Sequence, residues 1–355
     1  MMPTIRALND CVREDVRDCP PASFALVMAT GSVSIATYSL GMTRLGVALC
    51  TINVFAYVLL WALNLARLAR YPRRVWEDLL DHTRGCGYYT VVAATCVLGA
   101  QLILMYGNHR VAAALWLLGV LLWIGLTFTI FTALTIKEDK PPLAEGINGA
   151  WLLAVVSTQS VALLSAELST YFGPYKLATN FFALSMWLWG GMLYIWMISL
   201  IFYRYTFFKL LPGDLTPPYW INMGAMAISA LAGTALITNT PHAPFLLSIL
   251  PFIKGFTIFY WATGTWWLPM LVILAVWRHV YKRLPMTYDP LYWGAVFPLG
   301  MYTACTLSIA RTMELDFLEV IPHCFVYVAL AAWLATSIGL IRSLMRTLTG
   351  RRTVT

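Results

Sequence analysis

Histidine and cysteine are the side chains here best suited to bind a metal or attack a substrate, and their spacing supports neither. His82, His109, His242, His279 and His323 stand far apart. They form no HExxH pair for zinc and no close pair for a haem iron. Cys11, Cys19, Cys50, Cys86, Cys96, Cys305 and Cys324 contain no CxxC, so neither a metal knuckle nor a disulfide framework is indicated. Four of them, Cys50, Cys96, Cys305 and Cys324, fall in or near apolar runs, where a thiol packs as a small apolar group. Gly85-Cys86-Gly87 has Thr90 where a dinucleotide fingerprint needs its third glycine. There is no GxSxG nucleophile elbow. An enzyme is not expected, nor a cofactor, nor a metal.

The other polar candidates are small and lie mid-way along apolar segments. They are Ala29-Thr30-Gly31-Ser32, Ala93-Ala94-Thr95, Ser157-Thr158-Gln159-Ser160 and Gly224-Ala225-Met226-Ala227. Hydroxyls, amides and backbone dipoles coordinate an ion without carrying charge themselves. Small residues let a helix backbone approach a neighbour or a passing solute. Gly31, Ser32, Thr95, Ser157, Thr158, Gly224, Met226 and Thr303 are therefore candidates to line a pathway. The same residues would equally serve tight helix packing around no pore, and the sequence leaves both readings open.

The elements that hold these residues are membrane helices. Of 355 residues, 60% are apolar and 11% charged, whereas soluble domains carry about 25% charged residues. Runs of about 20 apolar residues, enough to span a bilayer, recur along the chain. They are read at 22–42, 46–66, 88–106, 111–136, 148–166, 177–203, 217–237, 256–277, 290–310 and 321–341, with a short interfacial stretch at 243–256. The expected fold is an all-α integral membrane protein of ten helices. Residues 1–21 would be a short polar arm, 22–341 the transport domain and 342–355 a basic tail. The arm carries seven charged residues, Arg6 to Asp18, and no apolar core for a cleavable signal.

No Asp, Glu, Lys or Arg falls in the core of any expected span. Glu167 and Arg311 are placed just beyond spans 5 and 9. Proton-coupled carriers hold an ionisable group at depth, so a neutral pathway is expected. Of the 24 Lys and Arg residues, 19 lie at the termini or in the loops after spans 2, 4, 6 and 8. The positive-inside rule then places both termini in the cytoplasm, with the chain multi-pass in the plasma (inner) membrane. Most of these cations set topology and meet anionic lipid; no nucleic-acid partner is expected.

The spans pair into five hairpins. Odd spans begin near 22, 88, 148, 217 and 290, each beside an aromatic residue: Phe24, Tyr89, Trp151, Trp220 and Trp293. This periodicity suggests a repeated unit. Even spans hold tryptophans throughout their depth; odd spans are bulky only at their starts. The simplest arrangement is an inner ring of five odd helices within five even ones.

Three stretches carry a family resemblance. Tyr292-Trp293-Gly294-Ala295-Val296-Phe297-Pro298-Leu299-Gly300 resembles the ninth helix of the tellurite-resistance/dicarboxylate transporter family, which includes the plant slow anion channels. Pro20-Pro21-Ala22-Ser23-Phe24 resembles that family's approach to its first span. Pro217 to Met226 resembles the seventh span of a bacterial branch. The resemblance implies five hairpins around a central pore lined by odd helices, homotrimeric assembly, and a phenylalanine before a proline that plugs the pore. Phe297 matches that plug, with Pro298 as the helix kink. It implies small anions as solutes: chloride or nitrate for channels, malate, sulfite or tellurite for carriers. Two departures stand out. The long regulatory termini of the plant channels are missing, and Pro298 is the single clear proline of an inner helix.

Three functions compete at this point. Phenylalanine-gated anion conduction leads. A coupled carrier for C4-dicarboxylates or oxyanions such as sulfite or tellurite comes second, and an intramembrane enzyme or sensor is a distant third.

Overall fold

The computed structural model describes residues 16–348. Its regular structure there is helical, with no strand among the described residues. The long helices are α1 (Ala25–Ser39), α2 (Thr43–Arg70), α3 (Tyr89–Tyr106), α4 (His109–Ile136), α5 (Leu153–Leu168), α6 (Lys176–Phe207), α7 (Ile221–Thr238), α8 (Leu250–Val276), α9 (Trp293–Thr312) and α10 (Val320–Leu348). Among the described residues, nine helical segments are long and apolar enough to cross a membrane. The other long helix, α1, is apolar but only 15 residues long, about 22 Å.

Two boundaries differ from the sequence reading. The eighth helix starts at Leu250 rather than 256 and absorbs half of the stretch expected to be interfacial; only Pro244–Ser248 remains a separate short helix. The tenth runs on to Leu348, so Arg342 and Arg346 are helical rather than part of a tail. The rest of the expected tail, and residues 1–15 of the expected arm, lie outside the described residues.

The odd helices close into a ring. α1 packs on α3, α3 on α5, α5 on α7, α7 on α9, and α9 back on α1. Each even helix packs on the odd helix before it and also reaches the odd helix after it, α10 completing the circuit on α1. Burial separates the two sets. In α3, α5, α7 and α9, 72% to 89% of the apolar stretch is buried, against 17% to 50% in the even helices. Phe55, Phe128, Phe181, Trp266 and Tyr327 project from even helices into the surroundings, as lipid-facing side chains must.

Small residues set the ring's spacing. A Cβ on Gly99 of α3 would stand 2.7 Å from Leu164 of α5, and one on Gly300 of α9 would stand 2.6 Å from the Ser32 hydroxyl of α1. Polar ties then join each even helix to the next odd one. Tyr57 and Thr95 share a hydrogen bond of 2.9 Å. Indole N–H groups donate from Trp123 to Thr158, from Trp187 to the Ser229 carbonyl, from Trp261 to Thr306 and from Trp333 to Thr30, at 2.8 to 3.0 Å. In hydrocarbon a buried indole N–H or hydroxyl has no water to bind and needs such a partner. This accounts for Trp123, Trp187, Trp261 and Trp333 at depth in the even helices.

Each odd helix is introduced by a tight turn. Four are 3-10 turns: Gly85–Tyr88, Gly149–Leu152, Pro217–Trp220 and Pro290–Tyr292. Before α1, hydrogen bonds from Ser23 to Pro20 and from Ala25 to Ala22 make a similar bend. The turns interlock at the leading end of the ring, where the odd helices begin. A Cβ on Gly149 would lie 2.5 Å from the Pro218 carbonyl, and one on Gly87 would lie 3.0 Å from the Ala22 nitrogen. Buried arginines brace this end. Arg67 pairs with Asp78 at 2.6 Å and donates to the Tyr88 hydroxyl. Arg204 donates to the Tyr219 hydroxyl at 2.9 Å and to the Ala144 carbonyl at 2.7 Å. At the trailing end the first three hairpins reverse through Gly41, Gly107 and Gly173, all with positive φ, which glycine adopts without strain.

Candidate functional site

Two cavities lie on the axis of the ring, and every inner helix or its leading turn contributes to both. Near the leading end a cavity of about 20 Å³ is walled by Ala25 and Met28 of α1, Thr90 of α3, Leu153 of α5, Ile221 of α7 and Phe297 of α9, with neighbouring turn residues. Its wall is apolar apart from Thr90, whose hydroxyl is turned back to the Gly87 carbonyl. At the trailing end a wider cavity of about 290 Å³ is lined by Ile35, Ala100, Leu163, Glu167, Leu231, Ala304 and Arg311, among others. Phe297 and Ala304 are seven residues apart on α9, about 10 Å along the axis.

The Phe297 side chain is fully buried and forms one wall of the narrow cavity. The next residue, Pro298, has no N–H, so the Gly294 carbonyl loses its usual helical donor. Gly224 of α7 meets this pair. A Cβ there would stand 2.7 Å from the proline ring and 3.3 Å from the phenylalanine ring. Glycine at 224 therefore lets α7 close on the Phe297-Pro298 step.

The other candidates disperse around the helices. Ser32 and Ser157 have hydroxyls bonded to the Ala29 and Ala154 carbonyls of their own helices. Helical phase puts them on the side of α1 and α5 that carries the cavity-lining residues. Gly31 faces α3, where a Cβ would stand 2.6 Å from Val97. Thr95 and Thr158 face outward and bond to Tyr57 and Trp123 of even helices. Met226 packs outward under Gly264 of α8. Thr303 is buried and donates to the Leu299 carbonyl. The structure thus brings together Phe297, Pro298 and Gly224. It turns Thr95, Thr158 and Met226 toward the periphery.

A regular offset underlies this division. Thr30, Thr95 and Thr158 each follow an axial residue (Ala25, Thr90, Leu153) by five positions. Five residues turn a helix by about 140°, away from the axis and toward the neighbouring even helix.

Sequence reasoning missed most of the apolar axial residues: Met28, Leu153, Ile221 and Leu231. Amphipathic contrast gives no warning, because these helices are buried all round. It also placed Glu167 and Arg311 beyond their helices, whereas both sit in the last turn, of α5 and α9, and line the wide cavity. At the leading end His82 packs near Trp151. Burial, with Lys137 adding to it, lowers its imidazole pKa, so His82 places no charge at this end at neutral pH.

Residues 18–341 match the SLAC1 family, described as voltage-dependent anion channel. Named relatives extend the comparison. A transporter of Methanocaldococcus jannaschii without an assigned solute is 25% identical, covering 89% of this chain and 92% of its own. A sulfite efflux pump of Trichophyton rubrum is 22% identical over 88% and 87%. A malic acid transport protein of Schizosaccharomyces pombe is 19% identical over 91% and 77%. The family match spans the whole five-hairpin ring, and the chain is an integral membrane protein belonging to the SLAC1 family of anion channels and transporters.

Proposed function

We propose that small anions pass along the axis of the ring and that the Phe297 ring closes this path. The observation that carries the reading is the pair of axial cavities built from all five inner helices, with Phe297 at the narrow one. An ion entering a dry aromatic constriction loses hydration that nothing replaces. Rotation of the ring about its side-chain bonds would reopen the path, and Pro298 beside it leaves a carbonyl free to meet the passing solute's water. Ser32, Ser157 and Gly224 are the wall positions of the middle section in this reading. Arg311 at the wide mouth raises the local concentration of anions.

The leading end faces the cytoplasm, because Arg73, Arg74, Lys140, Lys209 and Lys282 cluster there. Both termini then lie inside, in a plasma membrane, and the protein assembles as a trimer with one path per protomer. Chloride or nitrate is the solute of a channel of this build. The named relatives favour a second reading, a carrier of sulfite or malate.

Planar-bilayer recordings of wild type and Phe297→Ala test the reading. The substitution should raise chloride or nitrate current at least about tenfold, equivalent to about 1.4 kcal/mol off the barrier. Silence from both proteins, with labelled malate or sulfite still entering liposomes, would replace the channel by the carrier.

A further inference from the structure

A further cavity lies off the axis at the leading end, between α10 and the loop that joins α8 to α9. It holds about 610 Å³, within the range of small-molecule sites, about 300–1,000 Å³. Arg342, Arg346 and Thr287 form its polar side, and Met286, Ala335 and Ile338 its apolar side. Gly339 of α10 lets the loop approach: a Cβ there would stand 2.5 Å from the Tyr288 ring.

Charge, depth and polarity all bear on what fits here. Arg342 and Arg346 stand one turn apart on one face of α10, and both are exposed. Like charges at this spacing repel, and no Asp or Glu lines the cavity. Asp289, in the same loop, is turned to the Leu291 amide. Arg342 has no ion pair among the described residues. The site therefore wants an anion. Its depth follows from its neighbours. Tyr281 and Met286 are exposed, and Ile338 and Ile341 of α10 project outward. The Lys282 ammonium stands 5.7 Å from the Trp277 ring and 5.4 Å from the Tyr281 ring. Aromatic rings with basic heads beside apolar side chains mark the membrane–water interface.

We propose that this cavity holds the headgroup of one anionic phospholipid. Arg342 and Arg346 donate to its phosphate oxygens, a pairing that suits the planar guanidinium. Thr287 supplies a hydroxyl, and the acyl chains follow the apolar side down α10. Basic pockets between membrane helices on the cytoplasmic side take such headgroups. A zwitterionic lipid fits less well, because its ammonium would meet two cations and no carboxylate. A free phosphate ion would leave Met286 and Ile338 uncovered. The site stands apart from the axis of the ring and does not depend on what the ring conducts.

Native mass spectrometry of the purified full chain tests this, with equal amounts of phosphatidylglycerol and phosphatidylcholine of matched acyl chains. Wild type should retain one phosphatidylglycerol per chain, preferred at least about tenfold. Arg342→Gln with Arg346→Gln should abolish that preference. Arg342→Lys with Arg346→Lys keeps the charge and should retain most of it, which separates lost charge from lost fold. Arg73→Gln with Arg74→Gln removes two exposed cations at the same end but outside the cavity, and should leave the preference unchanged. Inorganic phosphate at the lipid's concentration should not displace it. The proposal is overturned if wild type retains both lipids equally or neither. It is also overturned if the Arg73 and Arg74 pair matters as much as the Arg342 and Arg346 pair. Displacement by inorganic phosphate would make this a site for the free ion and overturn the lipid as its occupant.

Discussion

The two ends of the inner ring are made by the same five helices and have opposite chemistry. At the leading end, tight turns interlock through glycine–backbone contacts, arginines are buried and paired, and the axial cavity shrinks to about 20 Å³ beside Phe297. At the trailing end, the cavity widens to about 290 Å³ and its charges stay apart. For the proposed anion path, the difference teaches where each task is placed. Closure needs a constriction whose walls cannot give, so the packing density and the strongest polar ties are spent there. Polar groups with unused capacity, such as the Glu167 carboxyl, occur instead beside the wider cavity.

The sharpest break in this comparison comes from Arg67. Its guanidinium is 3% exposed and holds Asp78 at 2.6 Å, while also donating to Tyr88 and to the Arg17 carbonyl. Removing one partner of a buried ion pair strands the other charge at a cost of about 3–5 kcal/mol. Arg67→Gln should therefore lower the thermal midpoint in detergent more than any single change at the trailing end, including Glu167→Gln and Arg311→Gln. Equal losses at both ends would mean that the leading end is not the rigid one.

Next in size is the proposed gate at Phe297. Phe297→Ala should change conduction by at least about 1.4 kcal/mol of barrier, tenfold in current, with a thermal midpoint that falls less than in Arg67→Gln. If the current were unchanged, Phe297 would pack between the inner helices and close nothing. A smaller effect is expected mid-ring. Trp333→Phe removes the hydrogen bond of 3.0 Å to Thr30 that joins α10 to α1. Interhelical bonds of this kind in membranes are worth about 0.6 to 1.7 kcal/mol, and a double-mutant cycle with Thr30→Val measures the share due to this one.

These particulars show how far the sequence could be read. The ring of five odd helices was legible because apolar length and the contrast of small against bulky residues survive as composition. Thr95, Thr158 and Met226 were legible as buried but not as outward-facing. A helix buried on every side carries no amphipathic phase, and a hydroxyl that ties two helices looks in sequence like one that lines a pore. The Thr30, Thr95 and Thr158 offset was present in the sequence, yet it gains meaning only once Trp333, Tyr57 and Trp123 are seen opposite. Glu167 was legible as a carboxyl at a helix end. It lines the same cavity as Arg311, 144 residues later in the chain, and ring closure alone brings the two to that cavity.

The finest test of the contrast is a backbone position at the trailing end. Three of its hairpin turns pass through glycine at positive φ: Gly41, Gly107 and Gly173. The turn after α9 instead uses Glu314, at φ 56°, and this side chain is exposed. A non-glycine residue held left-handed costs about 1–2 kcal/mol, partly offset because glycine has more conformational entropy to lose on folding. Glu314→Gly should therefore stabilise the protein by about 0.5–1 kcal/mol, read as a small rise in thermal midpoint, with wild-type anion selectivity. A fall instead would mean that the exposed Glu314 carboxylate contributes to the stability of this turn, so that its backbone strain is tolerated for the sake of the charge.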